Sequence, residues 1–325
     1  MAGNVTVLGS GAWGSALACI AARAGHSVTI WGKTAETVDE INSGHTNKKY
    51  LDNLRLEDSV QATNDIQTAM GNADIIVLSV PAQALSSTLE QIKPQTEKTT
   101  FIATCKGIDR QTGHLPHELI TTAFPDNPVA ALSGPSFASD VVSGLPTAVT
   151  IASANPELSA ELSTAFSTST FRCYASGDLK GVELGGALKN VLALAVGAAR
   201  GMRLGASAEA ALIARGFAEV SRLAVKLGAN PETLTGLSGL GDLVLTCSSP
   251  QSRNFSYGMA MGRGESLEGL KLAEGAFTAG IALKLAGESG IEVPITQAIV
   301  NVLENRTTAH EAVQQLLTRP LKREN

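Results

Sequence analysis

A short apolar run, Val5-Thr6-Val7-Leu8, opens directly into Gly9-Ser10-Gly11-Ala12-Trp13-Gly14, and this junction restricts the chain more than any other feature. The run suits a buried parallel strand, and Gly-x-Gly-x-x-Gly is the turn and helix start of a dinucleotide-binding fold. Gly9 allows the tight turn, Gly11 lets the backbone approach a pyrophosphate, and Gly14 lets the helix pack close to the strand. The new helix points its free N–H groups and positive dipole end at the phosphates. A glycine-rich turn alone is weak evidence. Here a helical run, Ala16-Leu17-Ala18-Cys19-Ile20-Ala21-Ala22, and a second strand, Ser27-Val28-Thr29-Ile30-Trp31, complete a unit of about thirty residues.

The alternation continues through the first half. Strand-like runs recur at residues 60–62, 74–80, 100–103, 129–132, 147–151 and 171–174, separated by polar helical stretches. The expected fold is therefore α/β: a Rossmann-type, doubly wound, mostly parallel sheet. Periodicity leaves open whether the later strands run antiparallel. Beyond Gly177 strand signals fade, and helical stretches are expected at 179–201, 206–228, 230–236, 255–263, 274–290, 295–304 and 308–318. A chain of 325 residues accommodates two domains. We expect a dinucleotide-binding domain over 1–177 and an all-α catalytic domain over 178–325.

In open α/β sheets, ligands collect beyond the carboxyl ends of the strands. Trp31-Gly32-Lys33 ends the second strand, where NAD-preferring folds carry an acid for the ribose hydroxyls. No acid stands there, and Lys33 would suit a 2′-phosphate, so NADP or dual use is expected over strict NAD. A plain surface lysine is the competing reading. Cys105-Lys106-Gly107 follows the strand ending near Ala103 and places an ammonium over the cleft. Ser133-Gly134-Pro135-Ser136 ends the next strand and starts a helix, making another anion-friendly N-terminus.

Three further stretches bear on chemistry. In Gly185-Gly186-Ala187-Leu188-Lys189-Asn190-Val191-Leu192-Ala193-Leu194, Lys189 shares a helix face with Gly185, Gly186 and Ala193. Those small residues are expected to leave room beside the ammonium for a ligand. Burial would lower the lysine pKa toward values useful for proton transfer, the alternative being a lysine that snorkels to solvent. Gly236-Leu237-Ser238-Gly239-Leu240-Gly241-Asp242-Leu243 reads as a close-packed turn with Asp242 available to pair with or orient a lysine. Ser252-Arg253-Asn254 offers a forked cation and an amide, suited to a phosphate; a helix cap and a surface arginine are the alternatives.

Composition narrows the partners. A net charge of −5 argues against nucleic acid. His114 and His117 are three apart and are expected to have no carboxylate or cysteine partner nearby, so a surface helix explains them better than zinc, and no metal is expected. The run from Val191 to Ala199 is far short of the roughly twenty residues that cross a bilayer, so no stable membrane insertion is expected. Cys19, Cys105, Cys173 and Cys247 lie far apart, and with no secretory leader they read as reduced thiols of a cytoplasmic protein.

Taken together, these stretches resemble the bacterial-type NAD(P)-dependent glycerol-3-phosphate dehydrogenases over nearly the whole chain. The resemblance rests on residues 9–14, 105–107, Ser133-Gly134-Pro135-Ser136-Phe137-Ala138, 185–190, 239–243 and Gln251-Ser252-Arg253-Asn254. It implies interconversion of sn-glycerol 3-phosphate and dihydroxyacetone phosphate, usually run as reduction to supply phospholipid synthesis. It further implies that Lys189 is the proton acceptor and that Lys106 contacts both substrate and cofactor. Gly134, Ser136, Asp242, Ser252, Arg253 and Asn254 would surround the substrate, and Asn190 is placed with them. Ala12, Trp13, Lys33, Ala138, Leu272 and Glu274 would line the cofactor beside the three glycines, with Arg253 touching it too. One departure is Phe255, where many members carry a basic residue.

The chemistry matches: Lys106 would stabilise the developing oxyanion while Asp242 holds the catalytic lysine. Two alternatives are another two-domain hydroxy-acid or sugar-acid dehydrogenase of the 6-phosphogluconate type, and a non-catalytic dinucleotide sensor. Arg253-Asn254 tilts the first toward a small phosphate ester, and the presence of Lys189 and Asp242 weighs against the second. The expected partners are a small phosphorylated substrate and a second copy of the chain, as a homodimer.

Overall fold

The computed structural model describes residues 3–94, 96–270 and 273–320. Its strands are β1 (Asn4–Leu8), β2 (Ser27–Trp31), β3 (Val60–Thr63), β4 (Ile75–Leu78), β5 (Thr100–Ala103), β6 (Val129–Ser133), β7 (Thr147–Ala152) and β8 (Phe171–Ser176). They form one sheet in the order β3-β2-β1-β4-β5-β6-β7-β8. All neighbours pair parallel except β6 and β7, so the chain reverses direction once and β8 then follows β7 in parallel. Central strands β4 and β5 are apolar runs because helices cover both their faces, whereas edge strand β8 alternates buried Phe171 and Cys173 with exposed Arg172 and Tyr174.

From β1 the chain steps outward to β3, then returns past β1 to β4, so strand order reverses between β1 and β4. Gly9 closes β1 at that point. Its φ of 120° suits glycine, and its Cα is so close to the Ser79 backbone that no side chain fits. The helix Ala12–Arg23 begins at once, and a methyl group at Gly14 would strike the Gly9 carbonyl. A methyl at Gly11, by contrast, would meet nothing within 4 Å. The tight side of the turn faces protein, and the Gly11 side is open.

The second half is built around the helix Leu179–Gly201, which is buried along nearly its whole length. The helices Ala206–Lys226, Asp242–Ser248, Arg253–Gly262, Glu274–Ser289 and Pro294–Leu303 pack around it. It spans the expected 179–201 and, beyond the apolar run at 191–199, is long and apolar enough by length and composition to cross a bilayer. Yet 94% of its apolar window is buried inside the protein, where surrounding helices satisfy that surface. Gly197 and Gly201 press it against the backbone of Arg253–Gly262, whose Gly258 and Gly262 press back in turn. A methyl at any of the four would collide with a main-chain carbonyl of the partner helix.

Two sequence expectations need correction here. The stretch from Gly236 is not a simple turn: Leu237–Gly241 is a π-helical turn that runs straight into the helix Asp242–Ser248. Nor is His117 a surface histidine without a carboxylate. It is the second residue of the helix Pro116–Ala123 and pairs through Nδ1 with Oε2 of Glu183 at 2.5 Å, while its backbone N–H donates to Oε1 at 3.0 Å. Glu183 lies on the long helix, 66 positions away, where local spacing could not reveal it.

Candidate active site

Strand β5 ends at Ala103, and Thr104 ties the following turn back to β4 by donating to the Leu78 carbonyl at 2.9 Å. Lys106 then projects over the carboxyl ends of the strands. Its Nζ donates to the Gly134 carbonyl at 3.1 Å and to Oδ2 of Asp242 at 2.7 Å. Gly134, just past β6, has a φ of 155° and lies too close to the Val149 backbone to carry a side chain. Its carbonyl also accepts from Ser136 Oγ at 3.1 Å.

The second ammonium arrives from the long helix. Lys189 is 7% exposed, and its Nζ donates to Oδ1 of Asp242 at 2.7 Å and to Thr246 Oγ1 at 2.5 Å. The Thr246 hydroxyl in turn donates a hydrogen bond to the Asp242 main-chain carbonyl, one helical turn back. The π-helical turn at 237–241 delivers Asp242 as the first residue of its helix, buried to 1% exposure, with one carboxylate oxygen for each lysine. Burial pushes the Lys189 ammonium down to about 8; the Asp242 carboxylate pulls it up and the Lys106 charge adds to the downward push. The lysine is thus buried and paired, and does not snorkel to solvent.

Gly185 and Gly186 do not leave room for a ligand, as their size had suggested. The space at Gly185 is taken by the Ser238–Gly239 backbone, and that at Gly186 by Ser133 Oγ and the Lys106 side chain. The two glycines instead let the segments carrying Asp242 and Lys106 close on the helix that carries Lys189.

A chain of amides joins the remaining parts. Asn190 Nδ2 donates to the Lys106 carbonyl at 3.1 Å, Asn254 Nδ2 donates to Asn190 Oδ1 at 2.9 Å, and the Gly275 N–H donates to Asn254 Oδ1 at 2.8 Å. Ser252 caps the helix Arg253–Gly262, its Oγ accepting from the Phe255 N–H at 3.3 Å. Arg253 follows with an exposed side chain that makes no ion pair among the described residues.

Several of the residues expected around a cofactor lie near the glycine turn and the loop after β5. Glu274 opens the helix Glu274–Ser289 with its carboxyl beside Gly107. It accepts from the Ala82 N–H, burial raises its pKa, and Oε2 is buried with no partner among the described residues. The Trp13 Nε1 donor in the glycine turn is likewise buried and unpartnered. Ala12, Trp13 and Ala138 border one apolar cluster, because the helix Ala138–Val142 packs on Ala12–Arg23. Lys33 is exposed just past β2. Leu272 lies outside the described residues. An open-sided glycine turn at the β1/β4 reversal, with orphaned polar atoms at Trp13 and Glu274, fits a dinucleotide lying toward Lys106.

Sequence reasoning did not anticipate Thr246, and it took Ser133 only as the start of the turn at 133–136; the buried Ser133 Oγ has no partner among the described residues. Thr246 stands four residues after Asp242, the one available signal had a helix been expected there.

Comparison with known proteins adds an independent line. The family model for the N-terminus of NAD-dependent glycerol-3-phosphate dehydrogenase matches residues 4–159, and that for the C-terminus matches 178–314. The chain is 51% identical over 322 residues to the glycerol-3-phosphate dehydrogenase [NAD(P)+] of Chelativorans sp. (strain BNC1), covering 99% of this chain and 98% of that one. It is 51% identical to the protein of that name from Mesorhizobium japonicum, with 99% and 94% covered. Among solved structures, glycerol-3-phosphate dehydrogenase from Coxiella burnetii superposes with a TM-score of 0.92 at 37% identity, covering 98% of this chain and 99% of that one.

Proposed function

This chain belongs to the NAD-dependent glycerol-3-phosphate dehydrogenase family, and on that premise we propose that it interconverts sn-glycerol 3-phosphate and dihydroxyacetone phosphate with NAD(P), supplying glycerol 3-phosphate for phospholipid synthesis. The observation that carries this reading is the single buried carboxylate of Asp242 holding two ammonium groups, one from each half of the chain, over the carboxyl ends of the strands. The bound nicotinamide supplies the hydride chemistry. The protein's own task is to orient one carbon and move one proton.

On oxidation, Lys189 Nζ takes the hydroxyl proton of glycerol 3-phosphate; on reduction it returns that proton to the carbonyl oxygen. Lys106 sets its Nζ against the same oxygen as negative charge develops there. Asp242 and Thr246 fix the Lys189 amine in direction. Arg253 grips the phosphate from the solvent side with the Ser252 hydroxyl and the remaining Asn254 N–H, which holds the reacting carbon in place. Gly134 and Ser136 close the substrate side. Glu274, Trp13, Ala12, Ala138 and the three glycines hold the cofactor, with Arg253 at its margin.

Several finer points belong to the same proposal. The absence of an acid after β2, together with the exposed Lys33, supports use of NADP or of both cofactors. A division at 177/178 is supported by the change from sheet to helices just there. The four cysteines form no disulfide, which suits a reducing cytoplasm. A homodimer is the assembly expected from the family likeness, and light scattering decides it.

The direct test is reduction of dihydroxyacetone phosphate with NADH and NADPH side by side, followed by loss of reduced-nicotinamide absorbance. Turnover with NADPH, alone or alongside NADH, is expected. No turnover of this ketone with either cofactor would sink the assignment.

A further inference from the structure

We propose that Asn47 is a positioning residue that fixes the pyrophosphate-facing peptide of the glycine turn, a role that rests on the NAD(P)-binding reading above. Asn47 lies outside the glycine motif, in the segment between the helix Ala35–Gly44 and β3, and it is completely buried. That segment is firmly built. The Leu56 N–H donates to the His45 carbonyl at 2.7 Å, closing the loop at its base. Glu40 Oε1 accepts from Thr46 Oγ1 at 2.8 Å and from the Lys48 N–H at 2.9 Å, while Leu51 and Leu56 are sunk in the core.

The Asn47 side chain has an obvious local use that it declines. It stands at the N-cap of the short helical turn Lys48–Leu51, where asparagine ordinarily accepts from the first free N–H groups, yet it makes no such bond. Its Nδ2 instead donates to the Ser10 carbonyl at 2.8 Å and to Ser15 Oγ at 2.9 Å, and Oδ1 is left buried without a partner among the described residues. Turning the amide over would set Oδ1 against the Ser10 carbonyl oxygen, so the donor orientation is dictated by Ser10.

Ser10 is the residue between the first two glycines. A trans peptide is planar, with its N–H opposed to its C=O. Anchoring the Ser10 carbonyl toward Asn47 therefore aims the Gly11 N–H the opposite way. Gly11 borders open space, and its N–H is one of the donors a pyrophosphate would meet. Asn47 does not touch the ligand; it holds the donor that does.

The test compares wild type with Asn47→Ala, Asn47→Asp and Ser15→Ala, using fluorescence titration with NADH and NADPH and competition by ADP and AMP. Both Asn47 variants should weaken NADH, NADPH and ADP about tenfold, with AMP, which lacks the pyrophosphate, and the KM for dihydroxyacetone phosphate changed less than about twofold. Ser15→Ala keeps the bond to Ser10 and should leave every affinity near wild type. If Asn47→Ala does not fold, the nearly isosteric Asn47→Asp carries the test. Wild-type-like binding of ADP by the Asn47 variants would overturn the proposal, and so would equal loss of ADP and AMP. Failure of the wild-type protein to bind either dinucleotide would instead remove the cofactor reading on which it rests.

Discussion

Lys189 and Asp242 stand 53 positions apart in the chain and meet at 2.7 Å in a place almost closed to water, and the other oxygen of the same carboxylate holds Lys106. One acid thus organises two bases with different surroundings. Lys189 is buried; Lys106 keeps a fifth of its side chain exposed. Burial of the first lowers its pKa to about 8, which suits the proton exchange proposed for it.

Removing the amine should remove the chemistry and spare the binding. Lys189→Ala is expected to lower kcat by about a hundredfold to ten-thousandfold, the usual worth of a positioned acid or base. Its dissociation constant for NADPH, read by fluorescence, should stay at the wild-type value. Near-normal turnover would take Lys189 out of the mechanism.

The pH dependence follows from the lysine at about 8. Above that value the amine is neutral and can accept a proton, so kcat for oxidation should rise through about pH 8 and level off. Reduction needs the protonated form and should fall over the same interval. Asp242→Asn deletes the charge that pulls the lysine upward, so the midpoint of any residual activity should move to lower pH. A midpoint that stayed put or rose would contradict the pairing.

Phosphate recognition is separable from proton transfer. Arg253→Ala should raise the KM for dihydroxyacetone phosphate by about ten- to a hundredfold, as expected for a lost charge-assisted bond. An unchanged KM in steady-state assays would assign the phosphate to other groups.

Packing between the two glycine-bearing helices offers a stability test. Gly258→Ala puts a methyl into the Leu194 carbonyl and should cost about 1–3 kcal/mol, the range for overpacking a filled core. Thermal denaturation should show a clearly lowered Tm. A Tm equal to wild type would mean that the helices separate without penalty.

Much of this was legible in the residue order because it is local. The glycine turn announces itself between two apolar strands, and an ammonium inside an apolar helix marks Lys189. What escaped depends on groups brought together from afar. His117 and Glu183 were invisible as a pair, as were Asn47 and Ser10, 37 positions apart. The glycines at 185 and 186 were noticed for the right reason, a need for space, but the occupant is the protein's own backbone and side chains. Thr246 was missed because glycine-rich 236–241 reads as an ordinary turn, when it winds as a π-helical turn and continues into a helix.

The bare contact between Leu179–Gly201 and Arg253–Gly262 has a consequence for selectivity. With main chain resting on main chain, no compressible layer lies between the helix bearing Lys189 and the one headed by Ser252, Arg253 and Asn254. Their separation works as a fixed gauge, and the short reach of Ser252 and Asn254 gives it little tolerance. On the proposed roles, homologous ketones one carbon longer or shorter between carbonyl and phosphate would meet a fixed spacing that only the exposed Arg253 side chain could follow.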